Sequence, residues 1–393
     1  MNETQGYSAE YAALNHEIYS LTKQLEAKER ELKEKQKTDV YDPFDNPSEY
    51  HWYNDDYSEI LPWITMPEFS VPFEPAKVEK NALRKYYNIG GFIFLFQFLF
   101  SNVLALLLIS LIQLILGKLN PDAASGAIEH YMRGGSIFVA INLIIYLAAN
   151  VGFAFIGLKW AKIKPSFMLN TRDYSFSDAV VHCLAGLFIW ICAGFISSGI
   201  DDIFSQYGFS TDILDHDYGK TALGFAIMTI YSCIIAPLTE EIMFRGALMK
   251  IFSKADRRFA IFMSAVFFGL AHGNIPQFML AFLIGIFFGH IDMKHNSIIP
   301  SVVVHIFINS MVTVISLLKD NDELMGLYGL ALIAGSVVGL ILLIIFRVKN
   351  KLPMSTPAQK LRGISVAKTS VGCIIAVVIH IGYMALNIIA TKQ

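Results

Sequence analysis

The chain has 393 residues, 54% of them hydrophobic and 16% charged, with a net charge of −2, and its mean hydropathy is +0.48. This balance points to an integral membrane protein rather than a soluble enzyme. Nucleic acid is excluded as a partner, because the basic residues sit at the ends of apolar runs and form no continuous stripe.

All four cysteines, Cys183, Cys192, Cys233 and Cys373, fall within apolar runs. They lack CxxC spacing and the pairing of a secreted disulfide scaffold, so they read as buried thiols. About the first 85 residues are polar, with no short apolar segment near the start, so a cleaved signal peptide is not expected.

Residues 1–37 read as a helix in which Leu14, Ile18, Leu21, Leu25 and Leu32 follow alternating three- and four-residue steps. Such a heptad stripe suits a coiled coil through residues 14–32, joining a homo-oligomer or docking a partner protein. A single solvated amphipathic helix fits equally, and both readings stay open. Residues 38–85 mix proline, acidic and aromatic side chains. They are expected to form an irregular linker, with tryptophans and tyrosines resting at the membrane surface.

From residue 86 to 393, apolar runs recur near 89–117, 136–158, 179–200, 222–250, 258–272, 277–293, 297–317, 325–346 and 369–389. The expected fold class is all-α: a polytopic membrane helix bundle of about eight to nine transmembrane helices behind a coiled-coil-like N-terminal helix. The fifth and sixth runs are short for a crossing. Basic clusters at Lys80, Arg84 and Lys85, at Lys159 to Arg172, at Lys250 to Arg258 and at Arg347 to Lys368 alternate with acidic loops around Asp201 to Asp217 and Asp320 to Glu323. This alternation predicts a multi-pass protein of the cell membrane with a cytoplasmic N-terminus and the C-terminus outside.

Ionisable side chains inside a bilayer are costly, which makes them functional candidates wherever a partner can be named. Three clusters qualify: Glu240, Glu241 and Arg245 in "EEIMFR", Phe268 and His272 in "FGLAH", and His305 and Asn309 in "HIFIN". Each holds a pair four residues apart, so three helices each offer one polar face. Adjacent glutamates diverge by about 100° around a helix, so they cannot serve one site equally. Glu241 precedes Arg245 in the order that favours an intrahelical ion pair, leaving Glu240 free to face the histidines. A carboxylate beside an imidazole can activate water as a general base, and a histidine with an amide can hold an oxyanion. The set therefore suggests hydrolysis of a carbonyl compound. The sequence names no such partner for His182, His290 or His380, which read as packing elements.

In this order and spacing the motifs resemble the type II CAAX prenyl endopeptidases and their Abi, or CPBP, intramembrane protease relatives. That family's pattern is EExxxR, then FxxxH, then HxxxN or HxxxD. The resemblance covers about residues 222–317. It implies an intramembrane endopeptidase with Glu240 and His272 as the water-activating pair and His305 with Asn309 as the oxyanion hole. Glu241 and Arg245 would then support the site or bind substrate, and Phe268 would pack beside it. The resemblance also implies the lipid bilayer as surroundings and a membrane-associated or lipidated protein or peptide as substrate. It favours a metal-free glutamate mechanism with no cofactor. Zinc held by Glu240, His272 and His305 is the competing reading, although no HExxH is present. Two other functions compete with proteolysis. One is a silent membrane scaffold or immunity protein that acts through the N-terminal helix. The other is a proton-coupled transporter, against which no repeat of broken helices is seen.

Overall fold

A computed structural model describes residues 13–28, 30, 65–66, 69–70, 75–119, 136–172, 174–209, 222–349 and 363–390. Helix α1 covers residues 13–28, with Leu14, Ile18, Leu21 and Leu25 all more than half exposed. Leu32, the last member of the heptad stripe, lies outside the described residues, as does most of the linker. Within that linker Thr65–Met66 and Phe69–Ser70 pair antiparallel.

The bundle is built from α2 (Pro75–Leu119), α3 (Ser136–Trp160), α4 (Phe176–Gln206), α5 (Ala222–Phe252), α6 (Arg257–Leu270), α7 (Ile275–His295), α8 (Ile299–Leu318), α9 (Asp322–Lys349) and α10 (Val371–Ala390). Helix α2 starts at Pro75, a residue suited to a first turn because it has no N–H to leave unpaired, so the helix begins within the segment read as linker.

Eight of these helices are long and apolar enough to cross a membrane. The exception is α6, which the sequence counts as a crossing. Its 14 residues rise only about 21 Å, against about 30 Å of hydrocarbon. It pairs along its length with α7 as an antiparallel hairpin. The turn between them therefore lies inside the layer, if α6 starts at its edge.

Helix ends around this hairpin are fixed by local caps. The Asp256 carboxylate accepts from Phe259 N at 2.6 Å to start α6, and Asn274 Oδ1 accepts from Gln277 N at 2.8 Å to start α7. Asn296, at φ +50°, ends α7 in the left-handed conformation. The buried Asp292 carboxylate then accepts from Ser301 N at 2.9 Å and from Ser301 Oγ at 2.6 Å, tying the end of α7 to the first turn of α8.

The two chain-distant helices α2 and α10 meet backbone to backbone. A Cβ on Gly91 would collide with the Gly372 carbonyl, and one on Gly372 with the Asn88 backbone. Asn88 Oδ1 uses that proximity to accept from Ser370 Oγ at 2.8 Å and Gly372 N at 3.0 Å, capping α10 from across the bundle. A buried aromatic core of Tyr87, Phe94, Phe244, Phe252, Phe267 and Phe268 then joins α2, α5 and α6.

Candidate active site

Helix α5 runs unbroken but enters the π hydrogen-bond register twice. Tyr231–Ile235 and Ile242–Met249 are π-helical, and the α-helical turn between them, Ala236–Glu241, carries Pro237 and both glutamates. In the π register the Ser232 carbonyl would pair with the N–H of residue 237, and proline has none. Asn309 Nδ2 on α8 donates to that orphaned carbonyl instead, at 2.6 Å. One turn on, Thr313 Oγ1 lies 3.2 Å from Cys233 Sγ. The polar face of α8 thus fastens it to the irregular stretch just before the glutamates.

Glu241 and Arg245 are both fully buried and lie 3.1 Å apart, forming the i,i+4 ion pair that their order favours. Arg245 also donates to the Gly285 carbonyl at 3.4 Å, and its guanidinium lies 4.2 Å from the centre of the Phe268 ring and 5.2 Å from that of Phe288. Gly285 lets α7 pack closely here, since a Cβ would press on both Arg245 and Phe268. Glu241 has a second partner that the sequence does not reveal: His305 Nδ1, at 2.9 Å from Oε1. The other ring nitrogen of His305 stands 3.8 Å from Glu240 Oε2, a gap suited to a bridging water or substrate oxygen rather than a direct hydrogen bond. His305 therefore lies between the two glutamates.

His272 is not on the helix with Phe268. Helix α6 ends at Leu270, and Gly273, at φ +70°, turns the chain back in a conformation that side-chain-bearing residues rarely adopt. His272 nonetheless reaches back four residues, with Nδ1 2.9 Å from the Phe268 carbonyl. A carbonyl only accepts, so Nδ1 carries the hydrogen and Nε2 keeps its lone pair. The Phe268 ring stands edge-on to His272 at 5.2 Å and to His305 at 5.8 Å, holding both imidazoles apart.

Glu240, Phe268 and His272 line one cavity of about 270 Å³. Its other polar lining residues include Gln97, Asn102, Tyr146, Asn150, His380 and Tyr383, none of which the sequence reading placed in the site. The detectable signal was an amide inside an apolar run, as at Gln97 and Asn150. Neither His305 nor Asn309 lines this cavity.

A metal site would draw on the same side chains. Among the described residues no group of three His, Cys, Asp or Glu is arranged to hold one. In the set Glu240, His272 and His305, both imidazoles bond through Nδ1 and leave Nε2 open, but His305 does not line the cavity that Glu240 and His272 share. Exhaustive chelation is expected to leave cleavage intact, and a loss restored by added zinc would reverse that expectation.

Comparison with known proteins agrees with the motif spacing. Residues 222–311 match the family described as type II CAAX prenyl endopeptidase Rce1-like. A stretch of 153 residues is 25% identical to the "Putative membrane peptidase YdiL" of Bacillus subtilis (strain 168), covering 38% of this chain and 61% of the relative's length. No solved structure matches at comparable significance. Residues 222–311, which include Glu240, His272 and His305, therefore carry the pattern of the type II CAAX prenyl endopeptidase Rce1-like family.

Proposed function

We propose that the protein is an intramembrane endopeptidase acting on membrane-associated substrates, with prenylated CAAX-type tails as the class suggested by the family match. The observation that carries this reading is the shared cavity, in which the Glu240 carboxylate and the lone-pair Nε2 of His272 face one space large enough for water and a peptide segment.

In this reading a water held by Glu240 and His272 gives its proton to the Glu240 carboxylate as its oxygen attacks the scissile carbonyl carbon. The carbonyl oxygen takes the negative charge. His305 can donate to it through Nε2 only when both ring nitrogens carry hydrogen, because Nδ1 already donates to Glu241. Asn309 has one amide hydrogen left after Ser232 but lies off the cavity, as His305 does, so either donor reaches the oxyanion only if the substrate carbonyl enters past Glu240 toward α8. The proton on Glu240 then passes to the leaving amine as the C–N bond breaks. Glu241 and Arg245 touch neither water nor substrate in this scheme and serve to orient His305.

The direct test compares new peptide termini in membranes from cells expressing the protein or its Glu240→Ala variant. Termini that vanish in the variant are the expected result and identify the substrate. Identical profiles from two folded, abundant proteins would overturn the peptidase reading.

We further propose that the N-terminus is cytoplasmic in the cell membrane. The α6–α7 hairpin returns to the side it left, so the C-terminus stays on the opposite side. Deleting residues 1–37 is expected to leave cleavage near the full-chain rate. A scaffold acting through α1 would lose its cellular effect with that deletion and would show no cleavage to preserve.

A further inference from the structure

Helix α10 lies outside the segment that matches the family, yet it lines the candidate active-site cavity. Its fixing to the site is specific. Asn387 Nδ2 donates to the Gly273 carbonyl at 2.9 Å, directly after His272. The Tyr383 ring occupies the space that a side chain at Gly273 would need. His380, one turn earlier, is 1% exposed and stacks on Phe94 at 4.2 Å. Its Nδ1 lies 2.7 Å from the Ala376 carbonyl, so Nδ1 carries the hydrogen and Nε2 is a bare acceptor. That Nε2 is buried and has no hydrogen-bond partner. A buried acceptor left unpaired is costly unless something arrives to pair it.

The neighbouring wall has the opposite character. Gln97 Nε2 donates to Asn150 Oδ1 at 2.9 Å, and Asn150 Nδ2 reaches Thr239 Oγ1 at 3.4 Å. Each amide nitrogen therefore keeps a second hydrogen. Among the described residues no lysine or arginine lines the cavity, and Glu240 is its one ionisable carboxylate. Neutral donors beside bare acceptors match the N–H and C=O of a peptide group. They do not match a free carboxylate, which would meet the acceptors with no cation to offset it.

We propose that α2, α3 and α10 form a peptide-backbone subsite of this cavity, in which His380 Nε2 accepts a hydrogen bond from a substrate N–H near the scissile bond. Gln97 and Asn150 face the substrate carbonyls. His380 is then a specificity determinant of the peptidase, and this assignment rests on the peptidase reading only for its kinetic consequence.

The test uses full-length protein in lipid nanodiscs and a quenched fluorescent peptide with a farnesylated cysteine followed by three residues. His380→Phe keeps a ring to stack on Phe94 and removes the acceptor. It is expected to raise KM about tenfold, the worth of one hydrogen bond, with kcat little changed. His380→Gln, which returns an oxygen at similar reach, should recover part of the loss. Methylating the substrate nitrogen in question, found by scanning the three residues, should cost the wild type a similar factor and cost His380→Phe nothing.

Binding is measured separately, as retention of the same peptide by Glu240→Gln protein with and without His380→Phe. Weaker retention with His380→Phe, even if the wild type cuts nothing, supports the subsite while the peptidase reading falls. Cleavage by the wild type with unchanged KM in His380→Phe overturns the subsite and leaves the peptidase standing. Equal retention, or none, by the two Glu240→Gln proteins also overturns it.

Discussion

Glu240→Gln is expected to slow cleavage of a farnesylated test peptide by about 10²–10⁴-fold, the range contributed by a positioned general base, while the protein stays folded. Glutamine keeps the size and polarity of the side chain but cannot take a proton from water. The fold should tolerate the change because Glu240 is outside the ion pair, and its side chain remains 24% exposed. A second substitution tests whether Glu240 and His272 act as a unit. If they do, Glu240→Gln combined with His272→Asn should be no slower than the slower single variant, since residues that share one step are not additive. Multiplying losses would mean separate roles, and an undiminished rate in Glu240→Gln would remove this carboxylate from the chemistry. A transporter or scaffold would show no peptide cleavage in either protein.

Much of the bundle is legible as apolar runs, because each crossing needs a minimum length of hydrocarbon-compatible chain. The fifth run, short for a crossing in the sequence, becomes the short α6, because a run measures residues whereas crossing depends on rise. Gly273 and the Asn274 cap stop that helix at 14 residues. The spacing of Glu241 and Arg245 is a local rule, and the pair is present as expected. The link from His305 to Glu241 is not local, since it depends on how α8 packs against α5. Asn309 illustrates the same limit: its donation to Ser232 exists because a π register meets a proline, a coincidence that helical spacing cannot express. His380 escapes a search for i,i+4 partners because its Nε2 is buried without a partner in a residue that lines the cavity, a placement set by tertiary packing. Gln97 and Asn150 stand as polar residues in apolar runs, a signal that a criterion of ionisable groups does not register.

Arg245→Ala is expected to destabilise the protein by about 3–5 kcal/mol, because it strands a buried carboxylate. Arg245 is fully buried, with Glu241, the Gly285 carbonyl and the faces of Phe268 and Phe288 as its surroundings. Its loss leaves Glu241 with His305 alone and opens a void beneath Phe268. Thermal unfolding in nanodiscs should show a clearly lowered midpoint, and membrane abundance should fall. Arg245→Lys should rescue poorly, since an ammonium keeps the charge but loses the planar stacking on Phe268. Glu241→Gln with Arg245→Met removes both charges at similar volume and should regain most of the stability, because no unpaired charge remains. That double variant separates folding from orientation. If Glu241 holds His305 in place for the oxyanion, the refolded double variant should still cleave slowly. Cleavage at the wild-type rate would instead reduce the buried pair to packing, and an unchanged midpoint in Arg245→Ala would deny it even that role.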